Sequence, residues 1–126
     1  MSYRIHQLLA GMLACTILSA APAAAAQLSG EQLLSLCTAN IGGGGNPMKA
    51  AQCMGFVVGV ADTFDCDEDN HGLKWNSEAA KSQPQIVRTV VQYIQEHPTT
   101  LTTGGHIAVG EALSKAYPCP AKTAGN

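Results

Sequence analysis

The stretch NPMKAAQCMGFVVGVAD, residues 46–62, decides the fold of this chain. Asn46 followed by Pro47 is a strong helix start, because an asparagine side chain can cap the first free amides and proline fits the first helical position. Apolar residues then recur at helical spacing as far as Phe64, and few polar residues interrupt them. The pattern predicts a helix that runs to Asp65 and that is central, buried on most sides.

Two glycines stand in the middle of this helix. Gly55 and Gly59 are four positions apart, so they lie on one face and leave it without side chains. A glycine in a helix interior costs roughly 1 kcal/mol relative to alanine. We therefore expect a packing reason for the pair, namely another helix that approaches this face closely.

A first helix is expected upstream. Ser29, with Gln32 three residues later, forms the pattern of a capping box, and the leucine-rich segment that follows ends at the glycine run 42–45. Because that run is not followed by Lys-Ser or Lys-Thr, it is interpreted as a linker and not as a phosphate-binding loop.

Two more helices are expected downstream. Ser82 and Gln85 frame a second capping box, and an apolar stripe over residues 86–94 stops at Pro98. A last helix is expected over residues 103–116, and Asn76 or Ser77 can cap a short turn before the third helix. No segment shows sustained strand alternation, so the fold class is all-α, a small bundle of about four helices.

The N-terminal segment has the pattern of an export signal. Arg4 and His6 precede an uncharged apolar run over residues 8–26, which ends in three alanines. A membrane anchor is the alternative, because the run approaches the roughly 20 residues that a spanning helix needs. We expect a cleaved signal peptide over residues 1–26 and a single exported domain over residues 27–126.

Composition narrows the classes of partner. The chain has 126 residues, 13% of them charged, and a net charge of −2 that becomes −3 when Arg4 leaves with the signal peptide. Such a chain has no basic surface for phosphates, so we expect no nucleic-acid partner and no membrane contact after cleavage.

Four cysteines remain after the signal peptide: Cys37, Cys53, Cys66 and Cys119. An even number in a small exported domain predicts two disulfides. Cys53 and Cys66 are 13 positions apart on what is expected to be one continuous helix, a separation of roughly 20 Å. A disulfide tolerates about 7 Å between Cα atoms, which excludes that pair. In an antiparallel hairpin Cys37 lies near Cys53, so we predict the pairs Cys37–Cys53 and Cys66–Cys119.

Candidate chemistry is sparse. Residues 65–72 place carboxylates at alternate positions, as at the start of a calcium loop, but Asn70 and Asn76 stand where the loop needs glycine and a bidentate acid. A solvated acidic loop is the favoured interpretation, and calcium binding is the alternative. We assign no metal ligand and no cofactor.

Catalysis is not expected. A Cys–His pair with His97 or His106 would need a free thiolate, which conflicts with two disulfides. His97 precedes a proline at a helix end, where its ring can bond the last carbonyls. Asp62 is the most interesting single acid, and we expect it to bond a neighbouring helix end or a basic residue. No catalytic residue is assigned, and the protein is not expected to be an enzyme.

Four blocks in order carry a family resemblance: LLSLC (33–37), AAQCMGFVVGVAD (50–62), VVQYIQEHP (90–98) and ALSKAYPCP (112–120). Together they resemble the Rap/Tai family of type VI secretion immunity proteins. The resemblance implies a periplasmic, all-helical, disulfide-bonded homodimer. It also implies that the protein binds and blocks a peptidoglycan amidase effector.

An inhibitor of this kind needs a rigid scaffold that presents a loop to the enzyme cleft. By analogy the connection over residues 98–105, PTTLTTGG, is the candidate, because it is polar, rich in small residues and expected to be exposed, with Leu101 as its apolar anchor. The candidate partner-binding residues are Thr99, Thr100, Leu101, Thr102 and Thr103. The alternative for this segment is an ordinary interhelix loop.

Two other classes of protein remain possible. One is a general periplasmic binding protein or acid-stress chaperone without a cognate effector, and the other is a metal-binding protein that uses the acidic loop. The position of Trp75, in the core or at an interface, also stays open at this stage.

Overall fold

The computed structural model describes residues 27–39, 45–66 and 73–121, and this part of the chain is all-helical. The signal-peptide prediction falls on residues 1–26, outside the described residues. Within the described ranges no helix is long and apolar enough to cross a membrane. The elements in chain order are α1 (Gly30–Thr38), α2 (Pro47–Ala61), a 3₁₀ helix (Ser77–Ala79), α3 (Gln83–Glu96), a 3₁₀ helix (Pro98–Thr102) and α4 (Gly105–Ala116). The expected small all-α bundle with two disulfides is confirmed.

The helix starts follow from their caps. At α1 the Gln32 amide donates to the Ser29 hydroxyl at 3.2 Å, and the Ser29 amide donates back to the Gln32 side chain at 2.9 Å. At α2 the Asn46 side chain accepts from the two amides that follow Pro47. Both predicted starts are confirmed, because each side chain satisfies an amide that has no partner inside the helix.

The start of α3 is confirmed with one difference. Ser82 accepts from the Gln85 amide, as a capping box requires. The Gln85 side chain, however, accepts from the amide of Lys81 at 3.0 Å and not from that of Ser82. The Gln85 side chain therefore bonds an amide one residue further upstream than the motif predicts.

One apolar core joins all four α-helices. α2 lies against α1, α3 and α4, and α3 packs along α4. The buried apolar residues are Leu33, Cys37, Cys53, Val57, Ala61, Phe64, Trp75, Ile86, Val90, Val91, Ile94, Ala108, Val109, Ala112 and Leu113.

The second helix is shorter than expected. It ends at Ala61 and not at Asp65, and Asp62 is its C-cap. The physical reason is tertiary: the indole of Trp75 donates to the Ala61 carbonyl at 2.7 Å, and the Phe64 amide bonds the same carbonyl at 3.2 Å. With that carbonyl occupied, the chain turns and Phe64 enters the core.

The expectation that α2 is buried on most sides is wrong. Its buried residues form one stripe, Cys53, Val57 and Ala61, while Gly55 and Gly59 are exposed. No side chain lies within 4 Å of where a Cβ would stand on either glycine, so no helix of the described chain approaches this face. Small uncharged residues make the outer face of α2 as apolar in sequence as its inner face, and composition cannot separate the two.

Both predicted disulfides are present. Cys37 and Cys53 join α1 to α2 with 5.0 Å between their Cα atoms, and Cys66 and Cys119 join the segment after α2 to the segment after α4 with 5.7 Å. The continuous helix used to exclude a Cys53–Cys66 pair ends before Cys66, but the pairing itself holds.

Trp75 belongs to the core. It is 3% exposed, and its ring is tilted against that of Tyr117, with 6.0 Å between centroids. Its amide donates to the Phe64 carbonyl, and the amide of Asn76 donates to the Tyr117 carbonyl. The segment that crosses between the two helix ends is thus held by backbone bonds on both sides, next to the Cys66–Cys119 disulfide.

We predict that the two disulfides stabilise the fold unequally. Cross-linking removes more entropy from the unfolded chain when the closed loop is longer, and the loops span 16 and 53 residues. The double variant C37S/C53S should therefore lose about 3 kcal/mol and C66S/C119S about 4 kcal/mol of unfolding free energy. Urea denaturation of both variants measures the difference, and a larger loss in C37S/C53S would contradict the prediction.

Candidate functional site

The connection between α3 and α4 is an ordered turn and not an open loop. Pro98–Thr102 forms a 3₁₀ helix, and His97 is its N-cap. Thr99 and Thr102 are exposed, Leu101 and Thr103 are half-buried, and Thr100 is 4% exposed. The structure places the five predicted partner-binding residues on one continuous turn, but the expectation that the whole segment is exposed is wrong for Thr100.

Threonine hydroxyls hold the turn from within. The amide and the hydroxyl of Thr100 both donate to the His97 carbonyl, at 2.9 and 2.7 Å. The hydroxyl of Thr103 donates to the Thr100 carbonyl at 2.9 Å, and that of Thr102 to the Thr99 carbonyl at 3.2 Å. A threonine-rich sequence is thus used for local side-chain-to-backbone bonds, which favour turns over helices.

Backbone bonds fix the same turn to the start of α1. The Gly30 amide donates to the Thr103 carbonyl at 2.9 Å, and the Gly105 amide donates to the Leu28 carbonyl at 2.6 Å. Between them, Ser29 and Gly104 form an isolated antiparallel bridge. These bonds explain why α4 begins at Gly105 and not near Thr103, since the two residues before it extend to pair with the N-terminal segment.

Gly30 is the position that permits this contact, and the sequence analysis did not single it out. A Cβ on Gly30 would stand 2.0 Å from the Thr100 carbonyl oxygen, a distance that no real contact shows. Glycine as the first helical residue inside a capping box was the available signal, because that position has no conformational need for glycine. The close approach of α1 to the turn therefore depends on a missing side chain.

A polar cluster supports the other end of the turn. The His97 ring stacks on the Tyr93 ring with 4.0 Å between centroids, and its Nδ1 lies 2.8 Å from the Tyr93 carbonyl oxygen. The expected contact of His97 with the last carbonyls of α3 is confirmed. Lys115 of α4 reaches across, with its Nζ 3.3 Å from Nε2 of His97.

Tyr93 links this cluster to Glu111. Its hydroxyl donates to a Glu111 carboxylate oxygen at a long 3.5 Å. Burial of the phenol, together with the charge of Glu111, raises the pKa of Tyr93. The phenol is therefore protonated at neutral pH, where it donates to Glu111.

Within the described ranges no cysteine has a free thiol for covalent chemistry. Cys37, Cys53, Cys66 and Cys119 are all in disulfides, so none offers a thiolate to His97 or His106. Asp62 lies at the exposed C-cap of α2 and not within an apolar helix. Over the described residues no group of three or more histidine, cysteine or carboxylate side chains is placed to hold a metal ion.

The acidic segment is described only at its start. Residues 67–72, on which most of the calcium alternative falls, lie outside the described residues. The Asp65 carboxylate accepts from the Cys66 amide at 2.7 Å and from the Ser77 hydroxyl at 2.9 Å. The Cys66 amide first, and then the Ser77 hydroxyl, lower the pKa of Asp65. The Asp65 carboxylate therefore joins the segment after α2 to Ser77, beside Trp75.

We predict that Gly30→Ala is destabilising and that Gly55→Ala is not. Alanine at position 30 meets a backbone carbonyl and must displace the turn, which overpacking data place at about 1–3 kcal/mol. Alanine at position 55 meets nothing within 4 Å and improves helix propensity. Urea unfolding measures both, and equal midpoints for the two variants would show that the close approach is unimportant.

We predict that Asp65 stabilises the fold in a pH-dependent way. Because its pKa is lowered in the folded state, its contribution is complete above the unfolded value near 3.8 and is lost as the pH falls through the folded value. The stability difference between the wild type and Asp65→Ala should be largest at pH 7 and should shrink as the pH falls below 3.8 and through the folded-state pKa. Urea midpoints across this range test it, with Ser77→Ala expected to show part of the same effect. A difference that does not vary with pH would contradict the assignment.

Comparison with known proteins gives a family match. The family model of the Rap1a immunity proteins matches residues 29–119, well over half of the chain. Neither the comparison with curated proteins nor that with solved structures gives a match. Families of immunity proteins are generally non-catalytic and bind an effector protein, and the two disulfides are typical of an exported protein. The chain therefore belongs to the Rap1a family of immunity proteins, which act against secreted effectors.

Proposed function

We propose that this protein is a periplasmic immunity protein that binds and inhibits a peptidoglycan amidase effector delivered by type VI secretion. In this proposal residues 1–26 are a cleaved signal peptide and residues 27–126 form the mature domain, which works as a homodimer. Family membership supports immunity against a secreted effector. The amidase target, the periplasmic site of action and the dimer come from the four sequence blocks that resemble the Rap/Tai family.

The inhibitory part of this proposal rests on one observation, the ordered turn Pro98–Thr102. It is joined by backbone bonds to the start of α1, and at its other end it follows the stacked rings of Tyr93 and His97. An inhibitor segment that is already ordered before binding loses little conformational entropy in the complex, so more of its contact energy appears as affinity. A rigid turn of this kind can fill a cleft without any catalytic group of its own.

Exposure selects the residues that can contact the amidase. Thr99 and Thr102 are exposed, and Leu101 presents the part of its side chain that the core does not cover. Thr100 is committed to the His97 carbonyl and is buried, so we assign it the role of holding the turn. Thr103 likewise bonds the turn from within, and its carbonyl holds α1.

The test uses the oxidised mature protein and a cysteine-type peptidoglycan amidase from the genome that encodes this chain. The wild type should bind the amidase and stop muropeptide release from purified peptidoglycan. The double variant Thr99→Arg/Thr102→Arg places two large cations on the exposed side of the turn. Calorimetry should show binding that is at least about tenfold weaker, which corresponds to a loss of about 1.4 kcal/mol of binding free energy.

Gln52→Arg is the matched control, since Gln52 is also exposed but lies on α2, away from the turn. It should bind as the wild type does. If the double variant binds equally well, the contact surface lies elsewhere. If the wild type neither binds nor inhibits an amidase that is demonstrably active, the amidase proposal is wrong and a general periplasmic role without an effector takes its place.

A further inference from the structure

We propose that the Cys66–Cys119 disulfide is a reducible latch on the segment after α4, and that a dithiol opens it before it opens Cys37–Cys53. Opening the latch frees residues 118–121, whereas the helical bundle stays folded. This proposal goes beyond effector binding, and its test needs no effector. It rests on the different exposure of the two disulfides and on the bonds that remain when the latch is open.

The two disulfides differ in their access to solvent. Cys37 is 8% exposed and Cys53 is 2% exposed, so a reductant reaches this pair only in molecules whose bundle has opened. Cys66 and Cys119 are both half-buried, and both chain neighbours of Cys119 are exposed prolines. The rate of thiol–disulfide exchange depends on access of the attacking thiolate to a sulfur atom. The latch is therefore the disulfide that a reductant reaches in the folded protein.

The latch is also the link between residues 118–121 and the bundle. These residues lie outside any helix, and among the described residues no hydrogen bond reaches them. The disulfide holds Cys119 against Cys66, which follows α2. Reduction removes this restraint and leaves the segment attached only through the preceding backbone.

The residues next to the latch keep their own hydrogen bonds when it opens. The Trp75 amide donates to the Phe64 carbonyl at 2.9 Å, and the Trp75 indole donates to the Ala61 carbonyl at 2.7 Å. The Asn76 amide donates to the Tyr117 carbonyl at 2.8 Å. Because none of these bonds involves a cysteine, Trp75 stays in the core, and Tyr117 is the last residue that remains fixed before the released segment.

The reduced state has a hydrogen-bond partner already in place. Sγ of Cys66 lies 3.2 Å from the Trp75 carbonyl oxygen. A disulfide sulfur has no proton to donate, whereas the thiol formed by reduction is a weak donor and a carbonyl oxygen accepts. The open latch therefore gains a weak hydrogen bond at the point where it loses the covalent link.

The surroundings of Cys66 also select the sulfur that is attacked. The Trp75 carbonyl covers Cys66 on one side, and the Asp65 carboxylate, which accepts from the Cys66 amide at 2.7 Å, repels an approaching thiolate. The thiolate of the reductant therefore attacks Sγ of Cys119, and the electron pair of the S–S bond goes to Cys66, which takes up a proton. The second thiol of the dithiol then closes the reductant's own disulfide and releases Cys119 as a thiol. Two protein thiols form for each dithiol oxidised.

The test is a time course of reduction of the oxidised mature protein by dithiothreitol, with acid quenching, alkylation and mass mapping of the thiols. Cys66 and Cys119 should be alkylated together, at least about tenfold faster than Cys37 and Cys53, because the buried pair reacts only in opened molecules. Alkylation of Cys37 and Cys53 at the same rate, or the appearance of all four thiols at once, overturns the proposal.

The half-reduced protein gives a second readout. Its circular dichroism and the fluorescence of Trp75, the one tryptophan of the chain, should match those of the oxidised protein. In the ¹⁵N-labelled protein the heteronuclear NOE should fall at the amides of Cys119 and Ala121 and stay unchanged at Leu101. A fluorescence spectrum like that of the urea-unfolded chain, or an unchanged NOE at Ala121, contradicts the release of a segment from a folded bundle.

The variant C37S/C53S is the matched control, because it carries the latch alone. While circular dichroism shows it to be folded, its latch should open at the wild-type rate. A much faster opening would show that the latch of the wild type waits for reduction of the buried pair, which would overturn the proposed order. If this variant does not fold, the mapping of the wild-type thiols decides the question.

Discussion

The Cys66–Cys119 disulfide is the constraint on which much of this small bundle depends. It closes a loop of 53 residues and ties the segment after α2 to the segment after α4. Beside this disulfide, Trp75 is buried in the core. Its indole donates a hydrogen bond to the carbonyl of Ala61, the last residue of α2. A small domain buries a smaller share of its surface than a large one, so a cross-link between two helix ends adds to the stability that packing supplies. The disulfide and the indole bond therefore decide together where the second helix stops and where the last one is anchored.

At the opposite side of the bundle, the connection between α3 and α4 is stabilised without a disulfide. Backbone bonds from Gly30 and Gly105, and hydroxyl bonds within the turn, fix it from two directions. This rigidity suits a protein family whose task is to bind a secreted effector and not to catalyse a reaction. This arrangement restricts the sequence at position 30, because a side chain there cannot coexist with the turn in this position.

The polar cluster of Tyr93, His97 and Lys115 lies where α3 meets the turn. His97 stacks on Tyr93 and begins the turn, so it supports the segment proposed to meet the effector. The same ring contacts the ammonium group of Lys115 on α4. A single histidine thus contacts the last turn of α3 through one ring nitrogen and a lysine of α4 through the other, which joins both helices to the start of the turn.

The sequence by itself determined the helical class, the starts of α1, α2 and α3, the end of α4 and the disulfide pairing. Caps, prolines and periodicity act over a few residues, and an antiparallel hairpin places Cys37 beside Cys53. It did not determine the end of α2, the exposed face of Gly55 and Gly59, or the core position of Trp75. These depend on which distant groups meet, such as an indole and a carbonyl 14 residues apart. The candidate turn was located from the sequence, but only the tertiary structure decided which of its threonines face solvent, since a hydroxyl that bonds the backbone and one that meets water look the same in a sequence.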